Sequence, residues 1–311
     1  MEAEINKHKI KHLDNFREIT EKYDHFIFDM DGVIWIENKI LHECVDTIKN
    51  LILINKKVYF LTNNNRHTRR ELLEKLIKIG LDELLHELND IKSILNASYL
   101  LASYIKNYHQ NIKKIYLIGT ESFKKTLEEQ GFEVVGAKDH SNKTLKISQA
   151  EALFEEIEAG FDACVSGFDD EINYYKLSYA TQVIMQTGNL FGATRDSCYL
   201  VNNRRFPSSI GIINMLETTT DIKATIISKP DPRSLQVIME THDIKEDEKG
   251  RIVMIGDNLD TDILFANNAG IDSVLVFTGM TNENEFYKMI KKGEIDTKQP
   301  LPDYTMRLLT Y

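Results

Sequence analysis

Four aspartates, one lysine, a threonine and an asparagine stand out, because each follows a short apolar run. HFIF leads into Asp29, with Asp31 two residues on; VYFL leads into Thr62 and Asn63; TIIS leads into Lys229; VMIG leads into Asp257, with Asp262 in the same turn. Carboxylates gathered at one point raise one another's pKa, and a hard divalent cation relieves them. Mg²⁺ suits such a group, since it takes oxygen ligands from one or two carboxylates, water and a phosphate. A lysine, a hydroxyl and a side-chain amide suit phosphate oxygens. One carboxylate can then attack phosphorus, while a second protonates the leaving group and later activates water.

These residues are far apart in the chain, so the elements must bring them together. Apolar strands alternate with helix-like stretches throughout: KIYLIGT with SFKKTLEEQGF, DACVSGF with YYKLSYATQVIMQTG, then ATIISK, SLQVIME, IVMIGD, TDILFANNAG and SVLVFTG. That alternation predicts α/β architecture with parallel sheets and helical crossovers. In an open parallel sheet the carboxyl ends of all strands share one edge, where ligands bind. Asp29, Asp31, Thr62, Asn63, Lys229, Asp257 and Asp262 are therefore expected to converge there. Residues 1–22 read as a polar lead-in helix. Thr68 and Glu71 read as a capping box for the helix ELLEKLIKI, which is expected to stop at Gly80.

Taken singly, each motif has a plainer explanation. Asp-x-Asp-Gly and a run of asparagines suit turns, a lone lysine suits a solvated surface, and Thr261 and Asp262 suit a helix N-terminus. The segment from Asp257 is not an EF-hand loop, because Asp262 rather than glycine stands at its sixth position. The order of all four elements, each after an apolar strand, carries the functional reading.

In that order the motifs resemble the haloacid dehalogenase superfamily of hydrolases. Asp29-Met30-Asp31-Gly32-Val33 resembles its DxDG[VT] motif, Leu61-Thr62-Asn63-Asn64 its second motif, Lys229-Pro230 its third, and Gly256-Asp257-Asn258-Leu259-Asp260-Thr261-Asp262 its fourth. The long stretch between the second and third motifs is similar to the branch of 4-nitrophenylphosphatases, phosphoglycolate phosphatases and pyridoxal phosphate phosphatases. The resemblance implies a Rossmann-like, doubly wound parallel-sheet core formed by 1–90 and 222–311, with an inserted α/β cap at 91–221 that closes over the catalytic edge and sets specificity. It implies a Mg²⁺-dependent phosphatase acting on small phosphorylated metabolites through an aspartyl-phosphate. Asp29 would be nucleophile and metal ligand. Asp31 would be general acid/base, with its carbonyl on the metal. Thr62, Asn63, Asn64 and Lys229 would bind the phosphoryl group, Asp257 would be the third metal ligand, and Asp262 would orient Lys229 or a metal-bound water. A homodimer through the cap is also implied.

Within the same superfamily, Asp31 argues against a dehalogenase, which needs no proton donor of this kind. A phosphomutase keeps both aspartates, but usually carries a helical cap after the first motif, and only about thirty residues separate Asp31 from Thr62. A non-catalytic scaffold on this fold is the alternative from another class; the retention of Asp29, Asp31, Lys229 and Asp257 speaks against it.

The composition sets bounds. With 311 residues, two domains are expected. A net charge of −10 argues against general nucleic-acid binding. Cys44, Cys164 and Cys198 form no CxxC pair and no disulfide framework, which points to a reducing, cytoplasmic setting. No apolar run approaches the ~18 residues of a membrane span. The sequons at Asn96 and Asn142 read as chance matches, and Cys164 as a core residue. His67 and the arginines around it read as a solvated helix start. In the inserted segment, Arg205-Phe206-Pro207-Ser208-Ser209-Ile210-Gly211 departs from the PGTGS-like stretch of the family. Arg195, Asp196 and Tyr199 are candidates for contact with the leaving group.

Overall fold

The computed structural model describes residues 9–37, 39–81, 91–151, 155, 157, 159–202, 204–292 and 300–311. The chain divides into two compact units. The first comprises Met1–Thr62, Arg70–Leu95 and Lys229–Tyr311, and the second Asn63–Arg69 and Asn96–Ser228.

The first unit is built on a sheet of seven strands, in the order Lys11–His12, Tyr304–Met306, Asp272–Val276, Ile252–Gly256, His25–Phe28, Lys57–Thr62 and Ile94–Asn96. From the first strand to the sixth, every pairing is parallel. The inner strands His25–Phe28 and Ile252–Gly256 are buried at every position, as expected where helices cover both faces of a parallel sheet. The two-residue period of a strand sorts their side chains. Phe26, Phe28, Val58, Phe60, Val253 and Ile255 join one apolar cluster with Val45, Ile48 and Leu51 of the helix His42–Leu53. Leu275 faces another, with Ile263, Phe286 and Ile290.

The beginning of the chain departs from the expected helix. Lys11–His12 is an edge strand beside Tyr304–Met306, and only Arg17–Thr20 forms a helical turn; residues 1–8 lie outside the described part. Ile10, Leu13, Phe16 and Ile19 are all buried, a spacing that suits a helix. The backbone instead pairs with the chain's last strand, with Lys11 N–H donating to Asp303 O at 3.0 Å and Leu13 N–H to Thr305 O at 2.9 Å. The helix after the second motif runs Arg69–Leu76 and continues in wider turns over Ile77–Leu81. Gly80 adopts the left-handed φ of +95° that its position calls for.

The second unit carries its own parallel sheet, ordered Thr225–Ile226, Leu190–Gly192, Ala163–Ser166, Lys114–Ile118 and Glu133–Gly136. Its helices begin where their caps dictate. The side chains of Asn96, Thr120 and Asn173 accept from the backbone N–H of Tyr99, Phe123 and Lys176, satisfying donors that a helix start leaves open. Asn96 is fully buried in this role, so that sequon is structural. The core includes Tyr116 stacked on Tyr179 at 4.3 Å and buried Cys164. An antiparallel hairpin, Cys198–Val201 with Arg204–Pro207, occupies the stretch that departs from the family pattern. Among the described residues, no helix is long and apolar enough to cross a membrane.

Candidate active site

Register places the first pair of functional residues. Ile255 lies level with Phe28, and Phe28 with Phe60, so Asp29, Leu61 and Gly256 come next to one another at one edge of three neighbouring strands. Asp29 N–H still donates to Ile255 O at 2.9 Å, which ties the start of the first motif to the strand that leads into the fourth.

Lys229 joins the set from the next segment. Its Nζ lies 2.7 Å from Asp29 Oδ1, 2.7 Å from Asp262 Oδ1 and 3.1 Å from Leu61 O. Asp262 Oδ2 accepts the backbone N–H groups of Asp257 and Asn258, both at 3.1 Å. Both oxygens of Asp262 are thus engaged, one holding the lysine and one holding the turn that presents Asp257. Gly256 lies so close to Asp262 that a Cβ there would collide with its side chain. Asp257 Oδ2 in turn accepts Met280 N–H at 2.6 Å.

One ammonium faces three carboxylates, and the electrostatics show the surplus. Burial raises Asp29 well above the usual carboxylate range, with Asp262 and Asp257 adding to it and Lys229 opposing. Burial, then the charge of Asp262, pushes Asp257 up to about 7 against the pull of Met280 N–H and Lys229. Lys229 is lowered by burial, but Asp262 and Asp29 outweigh that and hold it charged above its ordinary value. Carboxylate oxygens of Asp29, Asp257 and Asp262 lie within 4.8 Å of one another. This all-oxygen group, with excess negative charge, fits a hard divalent cation. Since Asp262 is already engaged, Asp29 and Asp257 are the side chains with oxygen to offer it.

The pattern described as haloacid dehalogenase-like hydrolase matches residues 26–133, and one described as HAD-hydrolase-like matches 226–300. Phosphoglycolate phosphatase 2 of Arabidopsis thaliana is 32% identical over 286 residues, covering 91% of this chain and 92% of its own. The chain belongs to the haloacid dehalogenase-like hydrolases. A 4-nitrophenylphosphatase of Schizosaccharomyces pombe is 28% identical, over 89% of this chain and 91% of its own. The p-nitrophenyl phosphatase of Archaeoglobus fulgidus, 23% identical, has the same fold with a TM-score of 0.75, covering 92% of this chain and 97% of that one. Relatives that span the chain nearly end to end are named as phosphatases, which places it among the phosphoric monoester hydrolases.

The other motif residues of this haloacid dehalogenase-like chain are placed as follows. Thr62 is buried at the end of its strand. Asp31 is exposed, apart from the carboxylate group, and its Oδ1 accepts Trp35 Nε1–H at 2.7 Å. Asn63 and Asn64 belong to the second unit. Asn63 Nδ2 donates to Asp196 Oδ1 at 2.9 Å, and Asn64 Oδ1 accepts the backbone N–H of Arg66 and His67 at 2.9 and 3.2 Å. Of the candidates for leaving-group contact, Arg195 is paired with Glu217 at 2.5 Å and Asp196 with Asn63. Arg66 is not simply solvated: its guanidinium sits over the rings of Tyr199 and Phe168, at 4.8 and 5.2 Å.

The sequence reading missed the loop after the strand Asp272–Val276. Thr278 Oγ1 donates to Gly32 O at 2.6 Å, and Met280 N–H holds Asp257. Gly32, at φ +86°, and Gly279 both press on the Asp257 carboxylate so closely that a Cβ on either would strike it. The signal was present, since SVLVFTG is another apolar run leading into polar residues and glycine at the same sheet edge.

Proposed function

We propose that this chain is a Mg²⁺-dependent phosphatase of small phosphorylated metabolites, working through an aspartyl-phosphate on Asp29. The observation that carries the reading is the chain of contacts Asp29–Lys229–Asp262, both links at 2.7 Å, beside a third buried aspartate, Asp257, with a raised pKa. Asp29 attacks phosphorus through Oδ2, while Lys229 holds Oδ1 and offsets charge on the phosphoryl oxygens. Asp31 gives a proton to the leaving oxygen and later takes one from the water that cleaves the acyl-phosphate. Thr62, Asn63 and Asn64 supply further donors to phosphate, and Asp262 holds Lys229 in position. Mg²⁺, held by the Asp29 and Asp257 carboxylates and the Asp31 carbonyl, would supply charge neutralisation at the phosphoryl group when bound.

The substrate class proposed is phosphoglycolate-like, pyridoxal phosphate-like or aryl phosphate monoesters; relatives named phosphoglycolate phosphatase and 4-nitrophenylphosphatase support the first and the last. Selectivity among them is assigned to the inserted unit. The same reading carries a cytoplasmic location and a homodimer formed through that unit, which sedimentation of the purified protein checks. The direct test is phosphate release from a panel of phosphorylated metabolites and 4-nitrophenyl phosphate, with Mg²⁺ and with excess EDTA. Release in Mg²⁺ that stops in EDTA is expected. No release from any monoester, or full rates in EDTA, would overturn the proposal.

A further inference from the structure

Trp35 is the chain's single tryptophan and is 2% exposed. The backbone turns sharply to bring it back to Asp31. Gly32 N–H donates to Trp35 O at 2.7 Å, Ile34 N–H donates to Met30 O at 2.9 Å, and Asp31 and Trp35 form an isolated parallel bridge. The left-handed φ of Gly32, +86°, permits the turn. Lys75 Nζ sits 3.6 Å from the centre of the indole ring, within range of a cation–π contact. Burial lowers Lys75, and the charge of Asp31 partly restores it, so the lysine lies in the field of that carboxylate.

We propose that Trp35, backed by Lys75, is a positioning residue for Asp31, fixing Oδ1 so that Oδ2 exchanges the proton with the leaving-group oxygen. This rests on the phosphatase reading above. An indole N–H donates and cannot accept, so it anchors one oxygen without competing for the proton carried by the other. The plainer account is that a buried indole has merely found a partner for its N–H. The two accounts differ in what they predict for substrates. Proton donation matters most where the leaving oxygen is a strong base, and least where a nitrophenolate departs unaided.

The test uses Trp35→Phe, which keeps an aromatic ring beneath Lys75 and removes the donor. kcat and KM are measured with Mg²⁺ on 4-nitrophenyl phosphate and on an alkyl monoester such as glycerol phosphate. We expect kcat/KM, which reports the step in which the leaving group departs, to fall about tenfold or more on the alkyl ester and less than about threefold on the aryl ester. Lys75→Met should skew the two rates in the same direction by less. Wild-type protein inactive on both esters would sink the phosphatase reading beneath the proposal. Wild-type protein active on both, with kcat/KM unchanged or falling equally on the two esters in Trp35→Phe, would sink the positioning role alone. Should Trp35→Phe not fold, the single tryptophan is its own reporter: Asp31→Ala should shift the emission maximum of Trp35, and unchanged emission overturns the contact.

Discussion

Each unit of this protein buries a lysine against aspartate, and the two clusters differ in balance. In the second unit, Lys176 is fully buried with Asp169, its Nζ 2.9 and 3.2 Å from the two carboxylate oxygens. The charges there are one to one. Asp169 also accepts Glu171 N–H at 2.9 Å, and although burial raises its pKa, Lys176 pulls it back. In the first unit, Lys229 faces Asp29, Asp262 and Asp257, and burial, with the surplus negative charge of Asp262 added to it, leaves Asp257 at about 7. A matched pair completes itself and serves the fold. An unmatched cluster is finished only by something that the chain does not supply, and that marks it as a site.

The largest expected effect separates the two clusters by activity. Asp29→Asn should lower turnover roughly 10⁴-fold or more, because an amide is a poor nucleophile. It should not destabilise the fold, since it removes a negative charge from a crowded group. Rates are followed by phosphate release and stability by urea unfolding. Near wild-type hydrolysis by this variant would end the covalent mechanism.

The reverse result is expected at the matched pair. Lys176→Met leaves Asp169 buried and uncompensated, a change that costs about 3–5 kcal/mol. The fraction that remains folded should keep its kcat on 4-nitrophenyl phosphate. Replacing both partners with apolar residues should recover much of the loss, since removing a whole buried pair is often close to neutral. A stability unaffected by Lys176→Met, or a kcat that collapses while the fold persists, would erase the distinction between the clusters.

A smaller effect tests the surplus charge directly. Asp257 and Asp29 have folded pKa values raised above those of an unfolded carboxylate. A raised carboxylate favours the folded state at pH below its unfolded value, and that contribution is lost as pH climbs through the folded value. Without metal, the first unit should therefore lose stability between about pH 4 and pH 7. Mg²⁺ at a hundred times its dissociation constant should restore about 2.7 kcal/mol. The increment should be larger at pH 8 than at pH 5.5, where protons compete for the same oxygens. Asp257→Asn should flatten the pH dependence and most of the Mg²⁺ effect. Thermal melts at the two pH values decide it; an increment equal at both, or intact in Asp257→Asn, would mean the cation binds elsewhere.

Much of this contrast was legible before the fold was known, and only on one side. The strands that carry Asp29, Thr62 and Asp257 are continuous apolar runs buried at nearly every position, and polar residues at their ends cannot be mistaken for core. Asp169 and Lys176 gave no such sign, because NYYKLSY reads as an ordinary amphipathic helix, whereas Lys176 points into the core. Trp35 was passed over because its role depends on a tight turn at Gly32 rather than on spacing. The polar opening segment reads as a lead-in helix, and its buried Ile10, Leu13, Phe16 and Ile19 keep a spacing that suits one, but pairing with Tyr304–Met306 overrides it. The hairpin at Cys198–Pro207 was invisible, since RDSCYLVNNRRFP carries neither regular alternation nor a two-residue turn signal with glycine.

That hairpin carries the smallest expected effect. Tyr199 is the point on which its contacts meet. The ring stacks on Phe206 at 5.9 Å, meets Phe168 edge-on at 5.3 Å and lies beneath the Arg66 guanidinium at 4.8 Å. Tyr199→Leu keeps apolar bulk and loses the aromatic and cation–π geometry, which is worth about 1–2 kcal/mol in all. The matched pair of the same unit would be untouched, so urea unfolding should show a loss well below that of Lys176→Met. If the inserted unit sets selectivity, kcat/KM on a preferred metabolite should fall by about threefold to tenfold, corresponding to about 1 kcal/mol, while the value on 4-nitrophenyl phosphate holds. The ring serves only the hairpin if both substrates keep their rates and stability alone declines. Equal losses on both substrates would instead tie Arg66, which follows the second motif in the chain, to the chemistry itself.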